Sequence, residues 1–95
     1  MAAYDLVYII SPEVSDEELP KVIDKMSQSV NKAGGNVVET TQWGRKRMAY
    51  PIRKFAEGNY VFSRIELESA KVKEIEANLR LSDEVLRHLV IKTRA

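Results

Sequence analysis

Residues 36–67 read NVVETTQWGRKRMAYPIRKFAEGNYVFSRIEL, and they predict two successive strands with no helix between them. The first, residues 36–43, is rich in β-branched residues, which favour extended structure. Gly44 then marks a bend or bulge. A basic stretch over residues 45–54 leads to the second strand, residues 59–67. Two consecutive strands predict an antiparallel pair joined by a hairpin.

On either side of this pair the sequence predicts one helix and one strand. Upstream, apolar residues repeat at helical spacing from 19 to 33, after the capping-box pair Ser15 and Glu18. A strand over residues 3–10 comes before this helix. Downstream, Ser69 begins a second helix and residues 85–92 form a last strand. This order predicts an α+β, ferredoxin-like split β-α-β-β-α-β sandwich, with two helices on one face of a four-stranded antiparallel sheet. We expect a single domain over residues 1–95.

The predicted strands are apolar on both faces, although the helices would cover only one. We assign one alternating set to the core: Leu6, Tyr8, Ile10, Val61, Ile65, Leu67, Leu86 and Val90. The other set lies on the open face of the sheet and includes one arginine: Val7, Ile9, Tyr60, Phe62, Arg64, Leu89 and Ile91. An exposed apolar patch of this kind predicts a binding surface for a partner protein. Shielding of the same residues by loops is the alternative.

Charge is distributed unevenly, although the net charge is only +1. Between residues 42 and 56 there are no acids and five basic residues: Arg45, Lys46, Arg47, Arg53 and Lys54. Guanidinium groups match the oxygens of phosphate, and nearby aromatic rings can stack on unpaired bases. The segment therefore predicts contact with RNA. A basic hairpin edge that prevents aggregation between strands explains the same residues equally well.

The sequence favours binding over catalysis. It has no cysteine, and its single histidine, His88, is predicted to face the helices without a positioned nucleophile. No residues have the spacing of a metal site or a phosphate-binding loop. We therefore expect no enzyme activity, no cofactor, no metal and no small-molecule substrate. Since no apolar run is long enough to span a membrane, we expect a cytoplasmic protein without membrane contact.

Two other functions fit the same fold. An enzyme similar to the acylphosphatases needs an arginine in the loop after the first strand, where this chain has Ser11-Pro12-Glu13. A self-associating regulatory domain would use the open face for homodimers. The common RNA recognition module shares the element order, but residues 57–63, EGNYVFS, lack the basic and aromatic positions of its third-strand motif. Base stacking across the open sheet is therefore not the favoured mode.

Residues 44–52, GRKRMAYPI, resemble the characteristic basic, basic, apolar, Ala-Tyr-Pro-Ile stretch of the bacterial small-subunit ribosomal protein six family. Tyr4, the Gly-Asn-Tyr sequence at 58–60 and the sequence NLRLSDEVLR at 78–87 agree with that family. The similarity runs from residue 4 to residue 92.

This resemblance implies a ribosome-associated structural protein that acts in translation without catalysis. It implies binding to the central domain of small-subunit ribosomal RNA, as a heterodimer with the eighteenth small-subunit protein, in support of assembly. Arg45, Lys46 and Arg47 correspond to the basic hairpin of the family. Arg80 and Arg87 correspond to arginines near the end of the second helix and in the last strand, and they join the predicted RNA-binding residues.

Overall fold

A computed structural model describes residues 1–93. The main elements follow the predicted order: β1 (Ala2–Ile10), α1 (Leu19–Lys32), β2 (Asn36–Ile52), β3 (Phe55–Leu67), α2 (Val72–Leu81) and β4 (Val85–Lys92). A short 3₁₀ turn, Ser69–Lys71, leads into α2. Residues 94 and 95, which complete the predicted domain, lie outside the described part of the chain.

The four strands form one antiparallel sheet in the order β2-β3-β1-β4. The central strands are therefore β1 and β3, while β2 and β4 are the edges. Both helices contribute to the core on one side of this sheet, through residues such as Val30 of α1 and Leu79 of α2. The predicted ferredoxin-like sandwich is confirmed.

The core lies between the helices and one face of the sheet. Seven of the eight residues predicted for this face belong to it: Leu6, Tyr8, Ile10, Val61, Ile65 and Leu67 are buried, and the partly buried Val90 packs against the core. Burying one large apolar side chain contributes about 1.5–3 kcal/mol relative to leaving it exposed. The burial of Tyr8 also raises the pKa of its phenol well above the ordinary value.

The prediction that Leu86 lies in this core is wrong. Ile9 pairs with Arg87 across the β1–β4 ladder, but Ile10 pairs with Val85, so the register shifts between them. Leu86 is the extra residue at this irregularity and is only partly buried. Because an extra residue reverses the in–out alternation of a strand, Val85 takes the core position instead.

Helix α1 begins later than its capping pair suggests and ends as predicted. The hydroxyl of Ser15 accepts a hydrogen bond from the Glu18 backbone N–H at 3.3 Å, yet the helix itself starts at Leu19 with a proline in its first turn. That position suits proline because its missing N–H is not needed there. At the other end, the Gly34 N–H donates to the Asn31 carbonyl and the Gly35 N–H to that of Val30, each at 3.0 Å. Gly34 has φ of 84°, which completes a Schellman cap.

The β2–β3 hairpin is much longer than predicted. The basic stretch is itself strand, so residues 44–58 form a hairpin arm instead of a loop. Its two-residue turn is Arg53-Lys54, with φ of 50° and 72°. Positive φ at both positions is typical of a type I′ turn, where Asn-Gly is the usual sequence. The fold therefore holds two charged residues in a backbone conformation that such residues rarely adopt.

Candidate functional site

The residues predicted for the open face do share one face of the sheet. Val7 lies opposite Phe62 of β3 and Leu89 of β4. Ile9 lies opposite Tyr60 and Arg87, and Asp5 lies opposite Arg64 and Ile91. Since directly paired residues point to the same side of a sheet, these three rows lie side by side. The residues that alternate with them in β1 are core residues, so this face points away from the helices.

The hairpin arm folds back over part of this open face. Side chains from the arm and from the sheet line an apolar groove of about 260 Å³, with these principal members: Met48, Tyr50 and Ile52 from the arm, and Val7, Ile9, Tyr60 and Leu89 from the sheet. Met48 and Ile9 are buried by this contact. Leu89 and Ile91 stay 55% and 51% exposed. The face is thus shielded at the arm and open along β4.

A charged pair lies at the edge of the apolar rows. The Arg64 Nε donates a hydrogen bond to Asp5 Oδ1 at 3.0 Å, and its guanidinium carbon is 5.8 Å from the centre of the Phe62 ring. The hydrogen bond to Asp5 raises the pKa of Arg64. Asp5 was not predicted as a site residue, although its acidic side chain in an apolar strand was a visible signal. The pair fixes the position of Arg64 at the edge of the predicted partner surface.

The predicted basic residues do not form one cluster. Arg45 turns towards the helix side, where its Nη2 donates to the Pro12 carbonyl at 3.1 Å and its Nη1 lies 3.8 Å from Glu57 Oε1. Lys46 lies on the open face, with Nζ 5.7 Å from the centre of the Trp43 ring. By strand alternation Arg47 shares the side of Arg45. The basic stretch therefore presents positive charge on both sides of the arm.

The tip of the arm is attached to the region just before β4. Arg53 Nη1 donates to the Asp83 carbonyl at 3.3 Å, and the Arg87 guanidinium carbon lies 5.5 Å from the centre of the Tyr50 ring. Arg87 thus lies on the open face among the predicted partner residues. Lys54 is exposed in the same turn as Arg53, and Arg80 is exposed in the last turn of α2. The structure gathers Arg53, Lys54 and Arg87 at one end of the sheet.

Aromatic rings near the basic stretch were predicted to stack on unpaired bases, but Trp43 was not included among the predicted site residues. Its ring stacks on Phe62, with ring centres 5.6 Å apart and an interplanar angle of 14°. Gln42 pairs with Val61 and Gly44 with Tyr60, so Trp43 is the extra residue of a bulge in β2. Gly44 has φ of 85°, which is the conformation a bulge of this kind needs. A large aromatic residue directly before a glycine in a basic stretch was the available signal.

A second cleft, with a mixed polar and apolar lining, lies on the helix side of the arm and has a volume of about 410 Å³; Asp16, Gln42, Arg45 and Asn59 are its polar lining residues. Asn59 is only 7% exposed, and within residues 1–93 its amide nitrogen has no hydrogen-bond partner. An enzyme similar to the acylphosphatases would need an arginine in the loop after β1. Arg45 does reach this loop, but it comes from β2, and its guanidinium already contacts the Pro12 carbonyl and the Glu57 carboxylate.

His88 lies on the helix-facing side, as predicted, with Nε2 3.5 Å from Glu76 Oε2. Within the described residues, no group of three or more His, Asp or Glu side chains is placed to hold a metal ion. No helix in residues 1–93 is both long and apolar enough to cross a membrane.

Known proteins resemble this chain over nearly its full length. The model of the family described as Ribosomal protein S6 matches residues 3–92. Small ribosomal subunit protein bS6 of Desulforudis audaxviator is 35% identical over 92 residues, covering 97% of this chain and 98% of that relative. The bS6 protein of Moorella thermoacetica is 38% identical over 92 residues, covering 97% and 94%. The crystal structure of 30S ribosomal protein S6 from Thermotoga maritima has a TM-score of 0.91 to this fold at 24% identity, covering 97% of this chain and 87% of that one.

The sheet order and the structural likeness place the chain among the ferredoxin-like α+β proteins. The match over residues 3–92 and the identity to curated relatives go further. The chain belongs to the ribosomal protein S6 family, a family of structural proteins of the small ribosomal subunit.

Proposed function

We propose that this chain binds the central domain of small-subunit ribosomal RNA together with the eighteenth small-subunit protein, and that the pair supports assembly of the subunit. The chain contributes surface and charge to this complex, and it carries out no reaction. One observation carries the proposal: a basic hairpin arm folds against an apolar open face, so that surfaces suited to RNA and to protein adjoin each other. Membership of the ribosomal protein S6 family supports it.

The arm supplies the RNA contacts in this proposal. With a net charge of +1, the chain attracts RNA by a local field and not by its overall charge. The candidate residues are those predicted above: Arg45, Lys46, Arg47, Arg53, Lys54, Arg80 and Arg87. Arg47 and Lys54 are exposed, whereas the guanidinium of Arg45 would have to exchange its contacts with Pro12 and Glu57 for a phosphate. Arg45 therefore contributes less than its position in the sequence suggests.

The open face supplies the contact with the partner protein. Its candidate residues are Val7, Ile9, Tyr60, Phe62, Arg64, Leu89 and Ile91, of which Leu89 and Ile91 are the most exposed. Ile9 lies at the bottom of the groove beneath the arm and acts through the shape of that groove. Arg64 is hydrogen-bonded to Asp5, and this pair sets the charge at the edge of the contact. Burial of exposed apolar side chains then stabilises the heterodimer.

The RNA contact is tested by charge removal on the arm. Arg47→Ala with Lys54→Ala should weaken binding of the heterodimer to central-domain RNA and reduce the slope of log affinity against log salt by about 1–2, since each lost phosphate contact removes about 0.7–0.9. Lys25→Ala with Lys32→Ala removes the same charge from α1 and serves as the control. A slope that is unchanged in the arm variant, or equally reduced in the control, removes the arm from the RNA interface.

The partner contact is tested with two exposed leucines. Leu89→Ala on the open face should weaken heterodimer formation by about 1–3 kcal/mol if this residue is an anchor. Leu81→Ala removes a similar side chain, 81% exposed, at the end of α2 and should leave the affinity unchanged. Isothermal titration with the purified partner measures both. Equal effects of the two substitutions would contradict the choice of the open face.

Self-association through the same face is a separate outcome of these experiments. Light scattering of the isolated chain should give the mass of a monomer. A stable dimer at low concentration that Leu89→Ala dissociates would identify the open face as a homodimer surface and oppose the proposed heterodimer.

A further inference from the structure

Trp43 is a large aromatic side chain that the core does not use. It is the single tryptophan of the chain, and 46% of it is exposed. One face of the ring rests on Phe62, with ring centres 5.6 Å apart and nearly parallel planes. A half-exposed tryptophan leaves much apolar area in water, although Trp can contribute more than any other side chain when it is covered. Its exposure therefore points to a ligand.

The backbone directs this ring outwards. Trp43 and Gly44 lie together opposite Tyr60, which makes Trp43 the extra residue of the bulge. Bulges occur next to functional sites, where they re-aim a side chain. The bulge is in β2, an edge strand of the sheet, so no further strand lies beside it. Because Phe62 already fixes the ring, a ligand that stacks on Trp43 loses little affinity to ordering of the side chain.

The charges around Trp43 favour a nucleotide over an apolar protein surface. Lys46 holds its ammonium over the Trp43 ring, 5.7 Å from the ring centre, whereas Arg45 and Arg47 point to the other side of the arm. A base that stacks on the ring takes the place of this ammonium, which the flexible lysine side chain moves towards the phosphate. An apolar partner covering the ring would remove the ammonium of Lys46 from water without compensation, which is costly. A nucleotide satisfies both groups, since the base stacks on the ring and the phosphate pairs with the ammonium.

We infer that Trp43 is a stacking platform for one unpaired RNA base, with Lys46 neutralising the phosphate beside that base. This inference rests on the proposed RNA-binding function and adds a residue and a ligand chemistry to it. The RNA recognition module stacks bases on aromatic residues of its third strand, whereas Trp43 lies in β2. The poor match of residues 57–63 to that third-strand motif therefore does not concern this site. The site selects unpaired RNA because a base inside a duplex already stacks on its neighbours.

The tryptophan itself reports the contact. The full-length chain is titrated at low salt with a single-stranded oligoadenylate and, separately, with an RNA duplex of the same length, while tryptophan fluorescence is recorded. Stacking should quench the fluorescence with the single strand and leave it nearly unchanged with the duplex. Binding of the single strand without quenching, measured in parallel by anisotropy of labelled RNA, overturns the inference.

Substitutions separate stacking from charge. Trp43→Ala should weaken single-strand binding about 5- to 150-fold, which is the range for one base–aromatic stack, and leave the salt slope unchanged. Trp43→Phe keeps a ring on Phe62 and should lose less. Lys46→Ala should instead reduce the salt slope by about 0.7. Val38→Ala, another exposed apolar residue of β2, is the control and should bind as the unsubstituted chain does.

The outcomes distinguish this inference from the proposed function. If Trp43→Ala binds the single strand normally while Arg47→Ala with Lys54→Ala still lowers the salt slope, RNA binding stands and the stacking platform is wrong. If Trp43→Ala weakens single-strand and duplex binding equally, the ring acts through the structure of the arm and the inference also fails. If Trp43→Ala affects only the affinity for the partner protein, the ring belongs to the protein interface. If the chain and its heterodimer bind no RNA, both proposals fail together.

Discussion

Gly58 lets the base of the hairpin arm approach β1, and Gly58→Ala tests how tight this approach is. Gly58 pairs with Lys46 in the arm. A Cβ at this position would lie 2.4 Å from Ile9 Cγ2 and 3.2 Å from the Ile10 carbonyl oxygen. Ordinary contact between carbon atoms is about 3.5–4.0 Å, so the Ile9 side chain would have to move by about 1 Å. Ile9 is buried under the arm and cannot move without displacing its neighbours.

Two opposing effects set the size of the change. Adding a methyl group to a well-packed site costs about 1–3 kcal/mol. Replacing glycine restricts the unfolded chain and returns about 0.4–1 kcal/mol. The net expectation is a loss of about 1–2 kcal/mol from the free energy of unfolding. For a domain of this size that corresponds to a fall in Tm of about 4–16 °C.

Urea denaturation followed by circular dichroism measures the loss, and a double-mutant cycle identifies its cause. In an Ile9→Ala background the Cγ2 atom is gone, so Gly58→Ala should cost clearly less than in the unsubstituted chain. Gly58→Ala is measured in both backgrounds at the same pH and salt. Its effect on the backbone is common to both, so the difference between the two costs isolates the contact with Ile9. Equal costs in the two backgrounds, or a Gly58→Ala variant more stable than the parent, would refute the proposed clash with Ile9.

Two further changes probe other parts of the molecule. Gly44→Ala adds a Cβ into open space, so any loss of stability comes from the φ of 85° at this position. We expect urea denaturation to show a loss of about 1–2 kcal/mol. No loss would show that the bulge relaxes. The Ser82 hydroxyl donates to Glu84 Oε2 at 2.7 Å and lowers the pKa of Glu84 below its usual 4.5. A depressed folded-state pKa stabilises the fold above that value and stops doing so as the pH falls through it. Ser82→Ala should therefore destabilise the chain at neutral pH. In unfolding experiments across pH, the stability difference from the unsubstituted chain should shrink below pH 4.5. A difference that stays constant across pH would show that the hydrogen bond is not the cause.

The sequence by itself determined the order of the elements and most of the two faces of the sheet. Both depend on local periodicity, since side chains alternate along a strand and recur every three to four residues along a helix. Leu6, Tyr8 and Ile10 could therefore be separated from Val7 and Ile9 without coordinates. The resemblance to the family was also visible in the sequence alone, because a short continuous run, residues 44–52, carries it.

The tertiary structure alone decided where the alternation breaks and what each basic residue contacts. The bulges that re-aim Trp43 and exclude Leu86 from the core depend on the pairing strand, which lies far away in the chain. Arg45 donates a hydrogen bond to the Pro12 carbonyl, 33 residues away in the sequence, and Arg53 donates one to the Asp83 carbonyl, 30 residues away. The arm extends the sheet and folds over the open face, where its apolar residues line a common groove with Val7, Tyr60 and Leu89. Local pattern records which residues are apolar or charged, whereas contacts between distant segments exist only once the chain has folded.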